Sequence, residues 1–148
     1  MIKIEVNEEY NSSIESVWEK IIDHESYKNY APIKDSILTK FGIEEKNGLG
    51  AIRKIIPNDS LYFLEKITKF DKYSRFDYLI FESSLPLKHY GGSVTLEKTD
   101  LGTKVFWTSD FDMPENTSPA IQRGTKSASA KMFKEILAGI KQQLESVT

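Results

Sequence analysis

Arg53 stands inside one apolar run, AIRKIIP, and Glu65 inside another, LYFLEKITKF. The stretch between them, PNDS, carries turn chemistry, so the two runs read as neighbouring strands of a hairpin. If the turn centres on Asn58–Ser60, Arg53 lies opposite Glu65, Ile55 lies opposite Phe63, and all four side chains share a face. Phe63 and Ile67 flank Glu65 at two-residue spacing, which marks that face as the inner one. The expected result is an ion pair on the wall of a core or cavity; a register slipped by one residue would leave Arg53 in solvent beside Lys54. An inward pair could simply hold two strands, because removing one partner of a buried pair costs roughly 3–5 kcal/mol by stranding the other. It could also orient a carboxylate, carbonyl or phenolate of a bound molecule. As catalysts, Glu65 would serve as base, Arg53 as stabiliser of an enolate and Tyr90 as proton donor. A guanidinium held against the carboxylate weakens it as a base, which favours binding over catalysis.

Alternation extends the same inner face along the later strands. It assigns Phe76, Tyr78 and Ile80 to it, then Tyr90, Gly92, Val94 and Leu96, then Val105, Trp107, Ser109 and Phe111. The hydroxyls of Tyr78, Tyr90 and Ser109 would need partners in an apolar surround, and a ligand is one candidate. His89 alternates out of phase with Tyr90 and should face solvent, while His24 follows the first helix. The two histidines carry no ligand spacing and the chain has no cysteine, so neither a metal site nor a thiol nucleophile is expected. No cofactor is expected either: GLG at 48–50 enters a strand and lacks a third glycine, unlike a dinucleotide loop. GGS at 91–93 sits in mid-strand and is not a nucleophile elbow.

The elements that must position these groups follow from periodicity. Ile2, Ile4 and Val6 alternate with polar residues as a half-buried strand. Ser12 and Glu15 have capping-box spacing ahead of a helix whose face carries Ile14, Val17, Trp18, Ile21 and Ile22. A second short helix, Glu25 to Tyr30, should stop at Pro32. Strands are predicted at Ser36–Glu44, Ala51–Ile56, Leu61–Phe70, Arg75–Glu82, Lys88–Lys98 and Lys104–Met113, joined by short turns and therefore antiparallel. Ser118 and Pro119 then open a helix running to about Val147, roughly 40 Å long. Its second half presents Met132, Phe133, Ile136, Leu137 and Ile140, whereas Gly124, Thr125, Ala128 and Ser129 make its first half small and polar. Small residues there predict open space beneath the helix and a cavity mouth near residues 121–129.

At 148 residues the chain reads as one domain, 1–148, large enough to bury roughly 70% of its unfolded surface. A net charge of −2, with both signs interspersed, supplies no basic field for nucleic acid. The opening MIKIEVNEEY has no apolar signal core, and no run is long enough to insert into a membrane, so the expected location is cytoplasmic.

In their order and spacing, SVWEKIIDHESYKNYAP, GLGAIR, LEKITKFD, LPLKHYGGSVTLEK, GTKVFWTSDF and the long terminal helix resemble the START-like, Bet v 1-like (SRPBCC) superfamily, and within it the polyketide cyclase/dehydrase group. The resemblance covers essentially the whole chain. It implies an α+β helix-grip fold: a curved antiparallel sheet of about seven strands wrapped around the long C-terminal helix, with two short helices after strand 1. It further implies a cavity between sheet and helix holding a small hydrophobic or amphipathic molecule, lipid- or polyketide-like. The wall expected for that cavity comprises Arg53, Phe63, Glu65, Phe76, Tyr78 and Tyr90, with Trp107 and Ser109 from the last strand and Thr125, Ala128 and Met132 from the helix. A cyclase or dehydratase using the same residues, and a protein-interaction module of co-chaperone or ribosome-associated type, are the alternatives.

Overall fold

Alternation of buried Ile2, Ile4 and Val6 with exposed neighbours makes the first segment a strand, β1 (Ile2–Tyr10), in the computed structural model, which describes residues 1–31 and 33–146. A short helix, α1 (Ile14–Ile21), follows and buries Val17, Trp18 and Ile21. Its cap is Ser13 and not Ser12: the Ser13 hydroxyl accepts from Ser16 N–H, while the Ser12 carbonyl accepts from Thr103 Oγ1 at 2.9 Å. A 3-10 helix, His24–Asn29, takes the place of the second short helix. Pro32, its expected stop, lies outside the described residues.

Six strands then run as β2 (Asp35–Lys40), β3 (Ile52–Asn58), β4 (Leu61–Asp71), β5 (Arg75–Ser83), β6 (Lys88–Lys98) and β7 (Thr103–Asp112). With β1 they form one antiparallel sheet in the order β1-β7-β6-β5-β4-β3-β2. β2 ends earlier than periodicity suggests. The chain after Lys40 folds into its own turns, with Gly42 N–H bonded to Lys46 O and Ile43 N–H to Leu49 O, before Gly50 at φ 86 leads into β3. That left-handed geometry answers for the second glycine of GLG.

Register shifts interrupt β3/β4, β4/β5 and β6/β7. Such bulges add twist and bend strands, and they let this sheet curl around a helix. The helix is α2 (Pro119–Glu145), with the Ser118 hydroxyl accepting from Ile121 N–H and Pro119 at its start. Phe133, Ile136, Leu137 and Ile140 are its buried residues, all in the second half. That half is also pinned by polar contacts: Tyr10 O–H donates to Leu137 O at 2.8 Å, and Lys141 Nζ lies 2.9 Å from Glu8 Oε1. Val147, the expected last apolar position, lies outside the described residues. Among the described residues no helix is long and apolar enough to cross a membrane.

Candidate ligand-binding site

The β3–β4 register pairs Arg53 with Glu65 and Ile55 with Phe63, as the turn chemistry predicts. Both charged side chains turn inward, with side-chain exposures of 4% for Arg53 and 13% for Glu65. Arg53 Nε and Nη2 reach Glu65 Oε1 at 2.8 and 2.7 Å. The remaining edge of the guanidinium meets His24, whose Nε2 lies 2.6 Å from Arg53 Nη1. Arginine only donates, so His24 Nε2 accepts and the ring is neutral. Burial, and secondarily the Arg53 charge, hold the His24 pKa well below its usual value, against a hydrogen bond to the Ile22 backbone. The flat faces are used too: the guanidinium carbon lies 5.3 Å from the Tyr78 ring centroid and 5.9 Å from that of Phe76. Arg53 is thus enclosed by protein groups on every side and stands behind the cavity wall.

Glu65 itself lines a small inner chamber of about 50 Å³ between sheet and helix. Tyr78 and Ile80 from β5, Leu85 and Leu87 from the following turn, and Ser109 and Phe111 from β7 surround it, and Ser129, Met132 and Phe133 of α2 close it. A larger groove of about 450 Å³ lies beside the chamber and is lined by Pro57, Asn58 and Leu61 together with Thr125, Ala128 and Met132. Phe63, Leu85, Ser129 and Met132 border both spaces, so the two lie against each other. The groove runs along the middle of α2, where Thr125, Ala128 and Ser129 present small side chains and no residue of the helix before Phe133 is buried. Of the stretch 121–129, where a cavity mouth is expected, Thr125, Ala128 and Ser129 line this groove, together with Lys131, Met132 and Glu135.

Two expected wall residues are buried but screened from the space. Phe76 packs against Trp18 and His24, and Trp107 stacks on Phe133 with ring centroids 4.0 Å apart. Trp107 contributes through its indole N–H, which donates to Tyr78 Oη at 2.8 Å. Tyr78 has its pKa raised, first by burial and then by the Glu65 charge, with the Trp107 and Ser109 hydrogen bonds offsetting part of the rise.

Tyr90 requires a correction. It is 48% exposed, its hydroxyl donates to Asp112, and it lies on the opposite face of the sheet. The cause is the register shift between His89 and Gly91, where Gly91 has φ 134. One extra residue reverses the alternation before it, so His89, expected in solvent, is 7% exposed and turned inward opposite Phe111. Its ring stacks on Tyr78, Nδ1 accepts from Ile80 N–H at 2.9 Å, and Nε2 lies 2.8 Å from Ser109 Oγ. Burial lowers the His89 pKa to about 4, with Asp110 opposing the shift. The paired glycines after Tyr90 were the available signal of a bulge. His24, Leu85 and Leu87 had no comparable signal, because a loop's approach to a sheet leaves no periodicity. Among the described residues no group of three or more His, Asp or Glu is placed to hold a metal ion.

The family profile described as polyketide cyclase/dehydrase and lipid transport matches residues 1–145. The chain belongs to this polyketide cyclase/dehydrase and lipid transport family. Solved structures share its fold: a START superfamily protein from Mycobacterium smegmatis superposes with a TM-score of 0.80 at 12% identity over 100% of both chains. TTHA0849 from Thermus thermophilus gives 0.81 at 14% identity over 99% of each chain. Ara h 8.0201 gives 0.67 at 20% identity, covering 93% of this chain and 96% of its own. At these identities the likeness shows the START/Bet v 1 helix-grip fold alone. Among curated proteins, none matches the sequence.

Proposed function

We propose that this member of the polyketide cyclase/dehydrase and lipid transport family binds a small hydrophobic or amphipathic molecule between its sheet and α2. The inner chamber and the outer groove, which share four lining residues between sheet and helix, carry this reading. The groove volume, about 450 Å³, falls within the usual range for small-molecule sites; its apolar walls carry Asn58, Thr125, Lys131 and Glu135 on the outer side, and Glu65, Tyr78 and Ser109 line the inner chamber. The acid–base alternative loses the proton donor assigned to it, since Tyr90 lies across the sheet. Each nitrogen of the arginine assigned to an enolate contacts Glu65 or His24, and Arg53 does not line the chamber.

The test is titration with the neutral fluorescent probe N-phenyl-1-naphthylamine. Ser129 borders both spaces, so Ser129→Trp should weaken probe binding about tenfold or more, while Ser127→Trp, on the exposed side of α2, should leave it unchanged. Equal binding by the two variants would overturn the reading. Native mass spectrometry of the freshly purified protein should in addition show an excess mass that disappears on denaturation.

A further inference from the structure

The polar end of the inner chamber has a hydrogen-bond polarity that can be followed donor by donor. The Ile80 backbone N–H can only donate, and it reaches His89 Nδ1 at 2.9 Å. The neutral ring therefore carries its proton on Nε2 and donates to Ser109 Oγ at 2.8 Å. Ser109 accepts this contact and lines the chamber together with Tyr78. The indole N–H of Trp107 donates to the same phenolic oxygen at 2.8 Å. Tyr78 Oη accepts from Trp107, and no described residue takes a hydrogen bond from its own proton.

Glu65 supplies the complementary group. Both Arg53 contacts fall on Oε1, so Oε2 takes no hydrogen bond from the described residues, and the carboxylate lines the same chamber as Tyr78. The chamber wall therefore offers one donor and one acceptor in a space of about 50 Å³, room for a hydroxyl and the first carbons attached to it.

We infer that the inner chamber takes the hydroxyl group of a neutral amphipathic ligand, an alcohol or a phenol, with Tyr78 donating to its oxygen and Glu65 accepting its proton. The inference rests on the binding reading above and names the chemical class of its ligand. A hydrocarbon of the same shape leaves both protein groups unpaired, and a ketone satisfies only Tyr78. Inside the chamber, whose lining holds no lysine or arginine, a carboxylate meets the Glu65 charge, while Arg53 lies behind the wall and His89 is neutral.

The experiment is competition against bound N-phenyl-1-naphthylamine by 2-naphthol, 2-methylnaphthalene and 2-naphthoate. 2-Naphthol is expected to displace the probe at about tenfold lower concentration than 2-methylnaphthalene, and 2-naphthoate to be the weakest. Tyr78→Phe should shrink the naphthol preference to about threefold or less while leaving 2-methylnaphthalene unchanged. Glu65→Gln keeps an oxygen for Arg53 and removes the charge, so it should improve 2-naphthoate relative to 2-naphthol; this readout holds even if Tyr78→Phe fails to fold. Equal displacement by 2-naphthol and 2-methylnaphthalene would overturn the inference and leave the cavity reading standing, as would 2-naphthoate binding tightest. Probe binding indifferent to Ser129→Trp would remove both.

Discussion

Arg53 is the residue on which the inner end of the site is built. It spends two nitrogens on Glu65, one on His24 and its flat faces on Tyr78 and Phe76, joining the loop after α1 to β3, β4 and β5. Such a group holds its neighbours in place more by the penalty of its loss than by net attraction, because desolvation offsets much of the Coulomb gain. Arg53→Met leaves the Glu65 carboxylate stranded and should cost roughly 3–5 kcal/mol in urea denaturation. The double variant Arg53→Met with Glu65→Leu should cost clearly less than the sum of the two single changes. Strict additivity would show that the two charges are not coupled.

At the scale of elements, the site exists because α2 behaves as two halves. From Phe133 onward it is packed and pinned to β1, while residues 119–131 bury no side chain and leave room for the groove. Opposite the helix, β6 must come close enough for Tyr78 to lie over it. A Cβ built on Gly92 would sit 2.2 Å from the Tyr78 ring, so Gly92 is a position where only a bare backbone fits without movement. Gly92→Ala should therefore push the Tyr78 ring away from Trp107 and destabilise the fold by about 1–3 kcal/mol. The indole N–H chemical shift of Trp107 reports the first effect and thermal unfolding the second; an unchanged shift would mean that the ring accommodates the methyl in place.

For the molecule as a whole, two buried neutral histidines tie stability to pH. His89 titrates at about 4 when folded and His24 well below its usual value, whereas both return to the ordinary 6.5 on unfolding. Between these values the unfolded chain binds more protons than the folded one, so unfolding becomes more favourable as pH falls. The stabilisation is complete above about 6.5 and is lost progressively toward pH 4, where the His89 contribution levels off. Each histidine adds a slope of up to about 1.4 kcal/mol per pH unit. Melting temperatures by circular dichroism at pH 7, 6, 5 and 4 should fall steadily, and His89→Asn should flatten the decline between 6.5 and 4. A wild-type profile flat over that range would mean that neither ring is held neutral by the fold.

The hairpin register was legible in the sequence because it is local. A short turn and two-residue alternation place Arg53 against Glu65 and Phe63 against Ile55, and the small residues of the terminal helix mark its loose half. Alternation decides which face a strand residue occupies only while the count of residues is unbroken. One bulge beside Gly91 reversed it, exchanging Tyr90 for His89 at the inner end. Nor does alternation say what lies over a face: Phe76 and Trp107 point inward as expected, but Trp18 and Phe133 cover them. His24 reaches Arg53 from the 3-10 helix, far away in sequence, and Leu85 and Leu87 reach the cavity from a turn. Contacts of that kind depend on where the curled sheet brings distant segments together, and only the tertiary structure determines them.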